Sequence, residues 1–411
     1  ARIFESALRH IFTLRPVGNG GEGAAKPIKD VPGNMKNRLK RWIAVWVLTI
    51  GYGLALVISR LLGPPRPLSA DRRRGKILVI GTFHNPNWFY AHLEPLAQCS
   101  AAEVVLVADG HTADIDGLTV VVPSPLASRI LSRAGAKFLW SVWYAIRHRP
   151  DLYMGYAIFP ASTTALILGR LFRRPACFQV TSGKLELEGG GNRAENKVLS
   201  ALGEPSPWIE KLAHALTRQF DLLVVRGGRA ERYIRDFGAT NRIERITGSV
   251  EMPERCPPVS ERNIDVIFVG RLTERKRPDR FIKVMAEVAR EHPELRAAIV
   301  GDGPDTDDLQ RQVADLGLEG RIEFLGLRND VLDLQLNSRI FALTSRWEGV
   351  SIAMLEAMSC GTIPVVSDVG DLRDVVDSGS NGFVFDEDDL DSFAETISGL
   401  LADESRMTEL S

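Results

Sequence analysis

Short apolar runs, each followed by a stretch with helical spacing, recur along the chain from residue 76 onward. Residues 76–80, 103–108, 118–122, 151–154, 176–180 and 222–225 read as buried strands, and stretches such as 165–171 read as the helices between them. Strands that alternate with helices predict parallel sheet with right-handed crossovers. A proline-rich stretch, Met252-Pro-Glu-Arg-Cys-Pro-Pro-Val259, interrupts this rhythm and reads as a hinge. A second cycle of strand and helix opens at residues 264–269 and runs to the end of the chain. The expected fold class is α/β, with two doubly wound Rossmann-like domains at 76–258 and 259–411. In such sheets ligands bind at the carboxyl ends of the strands.

Ahead of residue 76 the pattern is different. Residues 42–59 carry no charge and lie between Arg38, Lys40 and Arg41 on one side and Arg60 on the other. Eighteen such residues meet the lower limit for a membrane-spanning helix; the alternative is a helix packed on a soluble core. Residues 1–15 place Ile3, Phe4, Ala7, Leu8, Ile11 and Phe12 on one helical stripe, as in a helix lying along a membrane surface. Residues 16–33 are rich in Gly and Pro and read as a flexible link.

Charge sharpens this division. The formal net charge is −1, yet residues 1–75 hold 14 Lys and Arg against 4 Asp and Glu, so the extension is a separate cationic segment. Its basic residues lack the interleaved aromatics of a nucleic-acid binder. The cysteines Cys99, Cys177, Cys256 and Cys360 are far apart with no C-x-x-C pair, which argues against a zinc site or a disulfide framework and for a reducing compartment.

The densest chemistry lies at residues 345–361. Glu348 follows an apolar run at 339–344, and Gly349 and Ser351 favour an immediate helix start. Free N–H groups near Val350, Ser351 and Ile352 would carry the positive end of the helix dipole, a setting for a diphosphate. Glu356 falls inside that helix, so the two carboxylates can take hydroxyls on either side of a bound diphosphate. A nucleotide sugar fits that layout. Arg271 and Lys276 follow the strand at 264–269 and Gly270, which brings two cations to the same edge.

Glu348 and Glu356 form an E-x7-E motif. In order around it stand Gly270-Arg271 with Lys276, Gly301-Asp302-Gly303, Pro364 to Gly370, and Asn381-Gly382. Over about residues 264–400 the chain resembles the retaining GT-B glycosyltransferases of glycosyltransferase family 4, the glycosyl transferases group 1. That resemblance implies two Rossmann-like domains facing across a cleft. It also implies roles: Arg271 and Lys276 on the donor diphosphate, Glu348 on the donor sugar, Glu356 on the ribose, Gly301-Asp302-Gly303 near the nucleotide, and the segment at Arg328 beside the base.

The expected activity is retaining transfer of a sugar from a UDP-, GDP- or ADP-sugar, with no metal cofactor, to a membrane-associated and lipid-linked acceptor. Such an enzyme would sit on the cytoplasmic face of a membrane, held by a single N-terminal anchor or interfacial helix. The alternative is a membrane-tethered GT-B-like protein that binds nucleotide or glycan without catalysis. Two departures from the family fall in the N-terminal domain. Gly81-Thr-Phe-His84-Asn85 replaces a glycine-rich loop, and Ser182 stands where a histidine often contacts the donor sugar; His84, Asn85 and Ser182 are the candidate acceptor-side residues. The pair Asp114 and Asp116 forms a D-x-D, read here as a chance occurrence. The family's closing helix has no clear equivalent before Ser411, so the C-terminal domain is expected to be cut short.

Overall fold

The computed structural model describes residues 35–65, 75–83, 85–100, 102–191, 194 and 196–411. They divide into one unit ending at Thr247 and a second running from Gly248 to Ser411. The expected helix at 1–15, the link at 16–33 and His84 lie outside the described residues.

The first unit holds seven parallel strands: β1 (Gly75–Ile80), β2 (Ala102–Val107), β3 (Leu118–Val121), β4 (Leu152–Tyr156), β5 (Ala176–Gln179), β6 (Leu222–Val225) and β7 (Arg242–Arg245). Their spatial order is β3-β2-β1-β4-β5-β6-β7. Ile77, Val79, Val104, Leu106, Met154 and Val224 pack on one face with the helix Pro86–Ala97. Leu78, Val105 and Tyr153, which lie opposite one another, face the other way toward the helices Pro125–His148 and Thr163–Leu171. The same face continues through Ala176, Phe178 and Leu223 to the helix Pro207–Thr217. Strands covered on both faces take apolar residues at nearly every position, which is why they read as near-continuous runs broken only at their ends, as by Lys76, Glu103 and Gln179.

The helix Met35–Leu62 lies over this second layer. Ala44, Leu48, Tyr52, Ala55, Leu56 and Ser59 form a buried stripe on it, and Tyr52 meets the Phe159 ring edge-on with centroids 5.9 Å apart. Trp208 Nε1 donates to Thr49 Oγ1 at 3.1 Å. The opposite stripe, from Leu39 through Trp46 and Leu54 to Leu61, is exposed. The apolar segment expected at 42–59 is therefore part of a longer helix with one side packed into the core and one side bare.

The second unit is a six-stranded parallel sheet: β8 (Ile264–Val269), β9 (Ala297–Val300), β10 (Ile322–Gly326), β11 (Ser338–Leu343), β12 (Ile363–Ser367) and β13 (Phe383–Phe385), in the order β10-β9-β8-β11-β12-β13. The chain winds outward from β8 to one edge and then returns to wind from β11 to the other. The switch point between β8 and β11 brings together two loops more than seventy residues apart in sequence, the place where open parallel sheets bind ligands.

Candidate active site

The loop after β8 is drawn tight by glycines. Gly270 donates its N–H to the Val300 carbonyl at 2.9 Å, and Gly301, at φ +135°, lies so close that a Cβ there would sit 2.0 Å from the Gly270 carbonyl oxygen. A Cβ on Gly303 would meet the Leu272 carbonyl at the same distance. Asp302 serves its own turn: its Oδ1 accepts from the Gly303 N–H at 2.7 Å and from Thr306 Oγ1 at 3.0 Å.

Past this turn the loop after β8 is fastened to the loop after β11. Thr344 Oγ1 donates to the Arg277 carbonyl at 2.8 Å, the Arg346 N–H donates to the Arg275 carbonyl at 2.9 Å, and Arg275 Nε donates to the Trp347 carbonyl at 3.2 Å. Between the loops lies Glu348, its side chain only 3% exposed. Lys276 Nζ is 2.6 Å from Oε1, Ser345 Oγ donates to the same oxygen at 2.7 Å, and Arg275 Nη2 reaches Oε2 at 3.4 Å. Burial by itself pushes this carboxyl up; Lys276, Arg275 and the hydrogen bonds from Lys276 and Ser345 outweigh it and hold it below the usual glutamate value. Glu348 is thus a fixed anion at neutral pH.

A third loop presses on it. Gly370 has φ +58°, and a Cβ there would lie 2.2 Å from the Glu348 carbonyl oxygen, while the Asp371 N–H donates to the Gly349 carbonyl at 3.0 Å. Val350 and Ser351 are buried, and Ser351 caps the helix Ile352–Ser359 by accepting from the Met354 N–H at 3.3 Å. The helix opens at Ile352, so Val350 and Ser351 precede its first turn. Glu356, half-buried, lies about 6 Å further along the axis at about 1.5 Å per residue.

The structure gathers Glu348, Lys276, Gly270, Gly301, Gly349 and the helix start at one switch point. Arg271 opens the same loop with an exposed side chain that has no carboxylate partner among the described residues. Arg328 is tied up in a forked pair with Asp330, at 2.7 and 2.5 Å. Sequence reasoning missed Arg275 and Ser345 as holders of Glu348. Ser345, three residues before Glu348, carried the only local signal.

In the first unit, Ser182 is buried and its N–H donates to Glu186 Oε2 at 3.3 Å. Glu186 also accepts from the Thr181 N–H at 2.8 Å and from the Ile158 N–H, which fastens the segments after β4 and β5 to each other. Burial pushes the Glu186 carboxyl up to about 7, against the pull of those N–H groups. Asn85 caps the helix Pro86–Ala97, accepting from the Trp88 N–H at 3.3 Å. Asp114 is exposed and sits 3.1 Å from His111 Nε2. Among the described residues no three His, Cys, Asp or Glu gather as a metal site.

Residues 256–411 match the family described as glycosyl transferases group 1. The chain is 31% identical over 150 residues to the UDP-Gal:alpha-D-GlcNAc-diphosphoundecaprenol alpha-1,3-galactosyltransferase of Escherichia coli, covering 36% of this chain and 39% of that one. It is 33% identical over 150 residues to the GDP-mannose-dependent alpha-(1-6)-phosphatidylinositol monomannoside mannosyltransferase of Mycolicibacterium smegmatis, covering 34% and 39%. The match thus spans about two fifths of the length of these relatives. Among solved structures, HepE of Anabaena in complex with UDP and glucose superposes with a TM-score of 0.63 at 21% identity, covering 82% of this chain and 92% of the other. At that identity the likeness shows the fold: two parallel-sheet α/β units of the GT-B type.

Proposed function

We propose, from the match of residues 256–411 to the glycosyl transferases group 1 family, that the chain moves a sugar, with retention of anomeric configuration, from a nucleoside-diphosphate sugar to a lipid-linked acceptor. The observation that carries this reading is Glu348, buried and ionised between Lys276 and Arg275 at the switch point, just ahead of the helix that bears Glu356.

Departure of a nucleoside diphosphate develops negative charge on the leaving phosphate. Lys276 and the N–H groups of the helix start are fixed positive charge for it, preorganised so that they need not reorient as the bond breaks, and the exposed Arg271 on the same loop adds a second cation. Glu348 partly neutralises Lys276 in the resting site and holds its ammonium in place. When the diphosphate arrives, Lys276 has a second anion within reach and Glu348 is released to accept hydroxyls of the donor sugar. Glu356 accepts from the ribose. Cations of the chain itself supply the charge, so the proposal includes turnover without added metal.

Support for a lipid-linked acceptor comes from two sides. The names of the two relatives specify diphosphoundecaprenol and a phosphatidylinositol monomannoside as their acceptors. The helix Met35–Leu62 is long and apolar enough to meet a membrane and bears Arg38, Lys40, Arg41 and Arg60 near its ends. Nucleotide sugars are cytosolic metabolites, which sets the cytoplasmic leaflet as the working side.

The test is a panel of UDP-, GDP- and ADP-sugars in excess EDTA, with a short-chain polyprenyl diphosphate glycan as acceptor and the product anomer read by NMR. One donor is expected to raise the melting temperature and to be turned over to an α-linked product. A donor that raises the melting temperature without hydrolysis or transfer would replace this reading with a non-catalytic binding protein.

A further inference from the structure

Resting on the membrane-bound acceptor proposed above, the inference concerns which surface meets the bilayer. The helix Met35–Leu62 cannot thread a bilayer by itself, because Ala44, Leu48, Tyr52, Ala55 and Ser59 bury one side of it along four turns against the first unit. Its bare side is apolar: Trp42, Trp46, Ile50, Leu54, Val57 and Leu61 are all more than half exposed, at 60%, 51%, 61%, 53%, 53% and 78%. A helix packed on one side and apolar on the other lies in the interfacial plane.

A second helix shows the same design. Pro125–His148 breaks at Ser132, where φ is +64°; after the break it packs Ala136, Ser141, Tyr144 and Ala145 inward and leaves Trp143 and Ile146 exposed at 56% and 62%, and before the break Leu126 and Ile130 are exposed at 67% and 71%. The two helices are on one side of the sheet. Leu78, Tyr153 and Ala176 lie opposite one another across β1, β4 and β5, so the core under Pro125–His148 and the core under Met35–Leu62 belong to the same face. Trp208, 54% exposed, extends that side next to Thr49. Apolar exposure on this scale marks an interaction surface.

Charge identifies the partner. Neither residues 35–65 nor residues 117–150 contain a single Asp or Glu, while Arg38, Lys40, Arg41 and Arg60 and then Arg129, Arg133, Arg147 and Arg149 stand exposed among the apolar side chains. In a chain with 52 acidic residues, two wholly acid-free stretches on one side of one unit suit an anionic surface with an apolar interior. We propose that the exposed faces of Met35–Leu62 and Pro125–His148 form one docking surface for the anionic lipids of a membrane, with Trp42, Trp46, Trp143 and Trp208 at headgroup depth and both helices in the membrane plane.

The test uses full-length protein and sedimentable vesicles of phosphatidylcholine, with or without phosphatidylglycerol. Wild-type protein is expected to bind the phosphatidylglycerol vesicles, and more weakly as salt rises. Trp46→Glu with Ile50→Glu, and separately Trp143→Glu with Ile146→Glu, should each lower vesicle partitioning by about tenfold or more while leaving the donor-induced rise in melting temperature unchanged. Arg129→Gln with Arg133→Gln and Arg147→Gln touches no packed side chain and should remove much of the salt dependence. Binding of the Trp143/Ile146 variant equal to wild type would overturn the proposal, as would equal binding to both vesicle types. So would light scattering showing that the same face joins two copies of the chain. Loss of the donor response with vesicle binding intact would instead sink the glycosyltransferase reading and leave the docking surface standing.

Discussion

Glu348 in the second unit and Glu186 in the first are both buried carboxylates near the carboxyl ends of parallel strands, and they sit in opposite protonation regimes. Glu348 has an ammonium at 2.6 Å and a guanidinium at 3.4 Å, and is held below the ordinary glutamate value. Among the described residues Glu186 is bonded only by N–H groups and the Thr181 hydroxyl, and it is pushed up to about 7. At Glu186 dipoles offset only part of the desolvation, whereas at Glu348 two opposite charges with the Ser345 hydroxyl outweigh it. Burial therefore does not say what a carboxylate does. Its partners do: one arrangement keeps a permanent anion facing two cations, and the other makes a brace whose charge changes near neutrality.

The sharpest way to break the comparison is at the charged end. Lys276→Ala is expected to lower kcat by about a thousandfold, because it removes a cation aimed at the developing diphosphate charge and leaves Glu348 buried with one partner fewer. Glu348→Gln should cost about as much in kcat/KM while leaving Lys276 without its anion. Steady-state kinetics check both, and a loss of less than about fivefold in either would remove the pair from the catalytic machinery.

Next in size is Glu186. Its folded value of about 7 exceeds the ordinary 4.5, so between those pH values the folded chain holds a proton that the unfolded chain has released. Stability must then fall as pH rises from about 4.5 through about 7, by about 3 kcal/mol. Glu186→Gln should flatten that fall. Urea unfolding at pH 5 and pH 8, followed through labelling of the buried Cys177, reads the unit that holds it. A slope equal in wild type and variant would mean that Glu186 stays ionised, as Glu348 does.

Much of this was legible in the sequence, for reasons that particular residues make plain. β6 stood out because a strand covered on both faces leaves no polar position, and β8 did so through its run at 266–269 after the buried Asp265. β7, Arg242-Ile-Glu-Arg245, went unread because it is an edge strand whose polar side chains meet solvent. The spacing of Glu348 and Glu356 marked the candidate site, but the ion pair of Glu348 with Lys276 did not show, since only the adjacency of β8 and β11 brings residues 72 apart together. Glu186 was invisible for a related reason: it sits in a polar, glycine-rich stretch, and the N–H of Ile158 reaches it only through the neighbouring order of β4 and β5. The segment at 42–59 announced its apolarity, whereas the choice of which side to bury belongs to the helices beneath it.

A smaller effect is expected at Gly370. A side chain there has to adopt φ +58° and displace the Glu348 carbonyl from 2.2 Å. Gly370→Ala should destabilise the second unit by about 2 kcal/mol and raise the donor KM several-fold, since the loop that fixes Glu348 must shift. Unchanged kinetics with lowered stability would show that the loop can give way without moving the carboxylate.

The smallest effect separates a structural role from a functional one in the first unit. Asn85 was a candidate acceptor-side residue on its position after β1, yet its Oδ1 accepts from the Trp88 N–H as the cap of Pro86–Ala97. Removing a cap leaves one N–H of the first turn without its side-chain acceptor, and costs about 1 kcal/mol. Asn85→Ala should therefore lower stability by about that amount and leave the acceptor KM alone, while Asn85→Ser or Asn85→Asp, which also cap, should restore stability. If instead Asn85→Ala raises the acceptor KM at constant stability, and Asn85→Ser fails to rescue it, the amide meets acceptor directly. The first unit would then share in substrate recognition through a side chain that is exposed at its strand ends, as Arg271 is in the second.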